Sequence, residues 1–209
     1  MASNIIINNF QCQIKSSDKK KLLKYIKKID FNEEPEFLKC YKKNYKYSYD
    51  DKIIKKYKNI KNINVIGMGG SSLGTKAIYS FLSNKIKKKI KFFENLKIKN
   101  EKISKGLNII VSKSGNTLET ILNTNKLLNK KNKNIFITEN NNSYLKKLAD
   151  KLKSDVIEHK NFIGGRFSVL SEVGMLPSEL IGLKENKFKQ YNKLIIQKSF
   201  LNNLIHNTL

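Results

Sequence analysis

Between Ile63 and His159 the sequence alternates short apolar runs with helical patterns, and this alternation constrains the fold more than any other feature. NINVIGMG, IKFFEN, LNIIVSKSG, NIFITEN and DVIEH read as strands, each closed by polar or glycine-bearing residues. SLGTKAIYSFLSNKI, TLETILNTNKLLNK and SYLKKLADKLK carry apolar residues at helical spacing. Strand followed by helix over short loops requires right-handed crossovers. The expected fold is therefore α/β, with a parallel sheet of about five strands flanked by helices. In such sheets ligands bind beyond the carboxyl ends of the strands, and the two most unusual loops fall there.

The flanks read differently. KKLLKYIKKI is helical, Pro35 breaks it, and FLKCYKKNYKYSYDDKIIKKYKNI resumes the pattern. Residues 1–60 are thus expected to be an N-terminal helical segment and 61–184 the sheet domain. The tail from 185 to 209 reads as an amphipathic helix, the start of a second domain. With 209 residues the chain suits one domain plus appendages.

A formal net charge of +25 raises the question of nucleic acid. The lysines are spread over almost every segment, and the single arginine is Arg166. Nucleic-acid readers favour arginine for bidentate and stacking contacts, so no specific nucleic-acid partner is expected. Weak, salt-sensitive adhesion to polyanions follows from charge alone. No apolar run approaches the ~20 residues of a membrane helix, and no signal peptide is read at the N-terminus. Cys12 and Cys40 lack zinc-like spacing and read as reduced thiols of a cytoplasmic protein.

Three segments carry the chemistry. The first is GMGGSSLGT, residues 67–75. Its glycines let a ligand approach backbone amides, and the helix start beyond adds partial positive charge. The spacing matches neither a dinucleotide fingerprint nor a Walker loop. The second, SKSGNTLET, places Ser112, Lys113, Ser114 and Thr117 at another helix start, a donor set suited to phosphate. Asn116 and Glu119 have capping-box spacing, which gives Glu119 a structural reading. The third is GGRFSVLS, residues 164–171. From Asn161 to Leu183 there is no lysine, and the only arginine stands inside this stretch. Arg166 therefore points to work that needs a permanently charged planar fork, with a structural ion pair as the alternative. FSVLSEVGMLPSELIGL reads as a buried helix beside the sheet.

GMGGSSLGTKAIY, SKSGNTLET and GGRFSVLSEVGMLPSELIG resemble, in order and approximate separation, the signature segments of the phosphoglucose isomerase family of sugar-isomerase (SIS) domains. The resemblance implies a three-layer SIS-type domain and interconversion of glucose 6-phosphate and fructose 6-phosphate through a cis-enediol. Carried over by position, Gly70, Ser71 and Gly165 contact substrate, and Ser112, Lys113, Ser114 and Thr117 form the phosphate pocket. Arg166 lies beside the reacting carbons as the catalytic charge stabiliser. No metal or organic cofactor is implied. The partner is a hexose 6-phosphate, with a homodimer or a complementing C-terminal polypeptide as further partners.

The family's proton-transferring glutamate, ring-opening histidine and C-terminal lysine have no counterpart in this sequence, and His206 reads as a surface residue. Glu172 and Glu179 depart from the family pattern. They read as solvated helix glutamates, with a substitute base as the alternative. Three readings stand: an isomerase completed by a second polypeptide, a non-catalytic sugar-phosphate-binding module, and a decayed remnant.

Overall fold

A computed structural model describes residues 17, 20, 21, 24, 35–96, 105–129 and 131–190. Two compact units are present, Met1–Pro35 with Phe188–Leu209, and Glu36–Lys187. The second holds the sheet and its helices. The expected tail helix begins instead as a 3-10 turn, Glu185–Lys189, and from position 191 onward it lies outside the described residues, His206 with it. Cys12 and all but three residues of the expected helix KKLLKYIKKI are outside them too.

Five strands form one sheet: β1 Asn62–Ile66, β2 Lys89–Phe93, β3 Leu107–Val111, β4 Lys133–Thr138 and β5 Asp155–Glu158. Every pairing is parallel and the order is β2-β1-β3-β4-β5. β3 is central, and all five of its residues are buried. The helices are α1 Asp51–Tyr57, α2 Gly70–Phe81, α3 Leu118–Leu127, α4 Tyr144–Lys151 and α5 Glu172–Leu180.

Side chains alternate along each strand, so the sheet has two cores. On one face Ile63, Val65, Leu107, Ile109 and Ile135 pack with Tyr57 of α1, Tyr79 of α2 and Val173 and Leu176 of α5. On the other, Ile66, Ile110 and Phe136 pack with Leu127 of α3 and Leu145 and Ala149 of α4. The result is the three-layer α/β arrangement expected from the strand–helix alternation. Beneath the second core an amide ladder crosses three strands. Asn64 donates to Asn108 at 2.9 Å, and Asn108 donates to Asn134 at 2.9 Å. These bonds join residues that the register already sets opposite one another, so a one-residue slip would break them.

Two stretches differ from the sequence reading. Residues 36–60 are not one resumed helix. Glu36–Tyr41 is a 3-10 turn, residues 42–50 are irregular, and only Asp51–Tyr57 is α-helical. Asp50 sets that start, because its carboxylate accepts from the amides of Lys52 and Ile53. The stretch after Gly164 divides as well: Gly165–Leu170 is a 3-10 turn, and α5 begins at Glu172 with Ser171 as its cap.

Pro177 sits inside α5. Having no N–H, it leaves the carbonyl of Val173, four residues back, without its helical donor. The Thr75 hydroxyl of α2 donates to that carbonyl at 3.1 Å, and Thr75 is 1% exposed. The proline thus turns an internal helix bond into a tie between α2 and α5. Thr75→Val should cost about 1–3 kcal/mol by leaving a buried carbonyl unpaired. A Thr75→Val, Pro177→Ala double variant should recover much of that, since an alanine in place of the proline restores the donor. Urea unfolding of the single and double variants measures both; equal stability of the Thr75→Val variant and the parent would contradict the account.

Candidate functional site

The site is built where the chain winds away from the sheet in two directions. The helix after β1 returns to one face and the helix after β3 to the other, so a crevice opens between the carboxyl ends of these neighbouring strands. The first and second loops leave those ends.

The first loop, Gly67–Gly69, runs into α2. Gly69 has φ +57°, a backbone that suits glycine. A Cβ on Gly70 would lie 2.3 Å from both the carbonyl carbon and oxygen of Gly165, closer than any side chain tolerates. Loops separated by nearly a hundred residues are therefore in backbone contact. Ser168, fully buried, donates to the carbonyl of Gly165 at 2.6 Å and lies 3.2 Å from that of Gly70. Ser72, also fully buried, donates to Glu94 at 2.7 Å, and Lys76 ion-pairs with the other carboxylate oxygen. Burial pushes the Glu94 carboxyl up, but the bonds from Lys76 and Ser72 outweigh it, and the net position is below the usual carboxylate range. Glu94 and Ser168 were not singled out by sequence pattern. Each earns its place through a partner that only the fold supplies.

The second loop, Ser112–Thr117, turns into α3. The Ser112 and Thr117 hydroxyls are 2.9 Å apart. Thr117 is the N-cap, yet its side chain bonds no amide of the first turn. The expected Asn116–Glu119 capping box is absent. Asn116 instead accepts the amide of Tyr144 at the start of α4, at 2.9 Å. The loop is thereby fastened to the neighbouring helix, and the amides at the start of α3 stay free of a side-chain cap. The Ser114 hydroxyl accepts the Asn116 amide at 3.2 Å. Lys113 reaches across the loops: its amine donates to the carbonyl of Asn161 and lies 3.7 Å from a Glu139 oxygen. It therefore ties the second loop to the segment that leads into the third.

In the third segment, Arg166 is exposed on the turn Gly165–Leu170 and makes no hydrogen bond or ion pair with the described residues. The structural ion pair expected as its alternative is absent among them. The hydroxyl of half-buried Ser71 likewise makes no hydrogen bond with the described residues. Two donors are thus available on either side of the Gly70–Gly165 contact.

The two departing glutamates differ in their surroundings. Glu172 is fully buried and accepts from Tyr45 and Ser48. Glu179 is half-buried. Its carboxyl is raised by burial first and then by Glu185, and it lines a separate cleft with Asp51 and Glu185. His159, at the end of β5, is 2% exposed, and burial lowers its pKa, which favours the neutral ring. Among the described residues no group of three or more His, Cys, Asp and Glu side chains is arranged to hold a metal ion.

The fold and the site define a doubly wound α/β domain with a cluster of hydrogen-bond donors at its switch point. Residues 48–204 match the sequence profile of the phosphoglucose isomerase family, and the chain belongs to that family. It is 33% identical over 183 residues to the glucose-6-phosphate isomerase of Methanocaldococcus jannaschii, covering 75% of this chain and 45% of that one. It is 38% identical over 141 residues to that of Borreliella afzelii, covering 57% and 26% respectively. The chain thus spans less than half the length of these curated relatives. The crystal structure of a hypothetical protein from Thermus thermophilus shares the fold, with a TM-score of 0.64 at 20% identity over 92% of this chain and 52% of that one.

The Gly70–Gly165 contact makes a direct expectation. Gly70→Ala should push the first and third loops apart, at a cost of about 1–3 kcal/mol for an overpacked methyl. Thermal unfolding measures it, with Gly164→Ala as control, since the nearest atom to a Cβ there is a Phe167 ring carbon at 3.5 Å. An unchanged melting temperature for the Gly70→Ala variant would contradict the geometry.

Proposed function

We propose that the chain carries the sugar-phosphate-binding part of a glucose-6-phosphate isomerase and works on glucose 6-phosphate and fructose 6-phosphate in the cytoplasm. The observation that carries this reading is the convergence of three loops at one switch point, two of them leaving a donor, Ser71 and Arg166, without a protein partner among the described residues. Family membership adds the substrate class.

In this reading the phosphate sits at the Ser112–Thr117 loop. The hydroxyls of Ser112, Ser114 and Thr117 and the uncapped amides of α3 offer donors to its acceptor oxygens. Lys113 adds charge after leaving the Asn161 carbonyl. Gly70, Ser71 and Gly165 border the sugar. Arg166 faces C1 and C2, where its fork stabilises the charge that develops on the enediolate oxygens.

The proton between C1 and C2 needs a base. Glu172 does not serve, because its carboxylate is enclosed and bonded to the protein. Glu179 does not serve, because it lies in another cleft. A further polypeptide segment supplies the base and the ring-opening acid, either in a longer chain, in a partner polypeptide or across a homodimer contact. Positioned general acid–base catalysis is worth ~10²–10⁴ in rate, so the 209-residue chain alone should turn over poorly.

Titration calorimetry with fructose 6-phosphate should give binding heat that disappears in a Ser114→Ala, Thr117→Ala double variant. A coupled assay should show isomerisation only when a fragment carrying the C-terminal half of a relative is added, and its loss with Arg166→Lys, which keeps charge without the fork. Unchanged binding by the double variant would remove the phosphate assignment. Brisk turnover by the chain alone would show that a local base exists.

A further inference from the structure

Arg166 has no side-chain partner among the described residues, so the place of its guanidinium is set by the backbone that carries it. That backbone is the turn Gly165–Leu170, and it is gripped from outside the sheet domain's strand–helix pattern. The irregular segment that follows the 3-10 turn Glu36–Tyr41 runs along it as a strap. The Phe37 ring stacks on Phe167, with centroids 4.2 Å apart, immediately after Arg166. The Tyr47 hydroxyl donates to the carbonyl of Leu170 at 3.4 Å.

The strongest tie is to Glu172, two residues beyond that turn. Its side chain is fully buried, which is costly for a carboxylate unless donors surround it. Three donors do. The Tyr45 hydroxyl lies 2.9 and 3.1 Å from the two oxygens. The Ser48 amide donates at 3.0 Å and the Ser48 hydroxyl at 3.3 Å. Lys160 holds the strap from its other side. Its amine donates to the carbonyl of Lys46 at 2.7 Å and stands 4.5 Å from the centre of the Tyr45 ring. Burial, together with the neighbouring Glu172 carboxylate, raises the Tyr45 hydroxyl's pKa and keeps it a donor. A buried carboxyl group whose hydrogen bonds among the described residues all come from the strap is more than a helix-start glutamate needs. A first-turn carboxylate gains from the helix dipole while exposed.

We propose that Glu172 is a positioning residue for Arg166: its buried carboxylate locks the Tyr45–Ser48 strap against the Arg166-bearing turn and so fixes the guanidinium over the first glycine loop. This rests on the reading that Arg166 contacts the sugar phosphate. Glu172 touches no substrate and acts through the turn. The phosphate loop, held by Asn116 and α4, does not depend on it.

The test measures binding of fructose 6-phosphate and of inorganic phosphate to the full 209-residue chain and to four variants: Arg166→Ala, Glu172→Gln, Tyr45→Phe and the Arg166→Ala, Glu172→Gln pair. Loss of a charged hydrogen bond should make Arg166→Ala bind fructose 6-phosphate about tenfold more weakly. Glu172→Gln should lose about as much, Tyr45→Phe less, and inorganic phosphate should bind all four as it binds the parent. In the pair the Glu172→Gln change should add nothing, because the group it positions is gone. A merely structural glutamate would weaken both ligands, or weaken fructose 6-phosphate equally with and without Arg166, and either result overturns the proposal. So does parental affinity in folded Glu172→Gln. If that variant does not fold, Tyr45→Phe decides in its place, since it removes one donor and keeps the carboxylate. Parental affinity in Arg166→Ala would sink the functional reading and the proposal with it. Weakening there with none in Glu172→Gln would sink the proposal alone.

Discussion

Everything at the candidate site depends on the backbone contact between Gly70 and Gly165. A methyl group at position 70 would lie 2.3 Å from the Gly165 carbonyl, so the sequence has no freedom there. The contact brings a helix start from the sheet's own winding against a turn that belongs to a later segment. Ser168 closes it by donating to the Gly165 carbonyl while lying 3.2 Å from that of Gly70. What results is a junction of three polypeptide segments at the carboxyl ends of β1 and β3, where a parallel sheet of this order leaves room for a ligand.

The surrounding structure holds that junction from several directions. Pro177 frees a carbonyl in α5 that Thr75 of α2 then takes, which joins the two helices flanking the third segment. Glu94 fastens the start of α2 through Ser72, and Asn116 fastens the second loop to α4. Lys113 spans from the second loop to Asn161, just ahead of Gly164. Around this junction many polar groups are committed to one another, while the Ser71 hydroxyl and the Arg166 guanidinium make no hydrogen bond with the described residues. Preorganised donors left free in a fixed frame are the arrangement that electrostatic stabilisation of a developing charge requires.

The sheet was legible because it obeys local rules. Five apolar runs and the helical patterns between them fix strand, helix and face by period alone, and β1 to β5 and α2 to α4 fall where those periods place them. The loops of the candidate site drew attention for a related reason, since glycine and hydroxyl residues cluster where lysine is otherwise abundant. What escaped the sequence has partners far along the chain. Tyr45 and Glu172 are 127 residues apart, and nothing local in YKKNYKYSYDD distinguishes a strap from a lysine-rich helix. Glu172 read as a solvated helix glutamate because a first-turn glutamate usually is one. Its burial follows from tertiary packing that brings the strap's donors to it. The Asn116–Glu119 spacing misled for the same reason: Asn116 had a better use at the next helix.

The central claim is that the three segments form one binding site with the phosphate at the second loop and Arg166 at the sugar's reacting end. A crystal structure of the chain with fructose 6-phosphate tests it most directly. The account predicts phosphate oxygens within hydrogen-bond reach of Ser114 and Thr117, with C1 and C2 lying between Gly70 and Arg166. A phosphate lodged elsewhere, for instance in the cleft bordered by Glu139, Glu158 and His159, would contradict it.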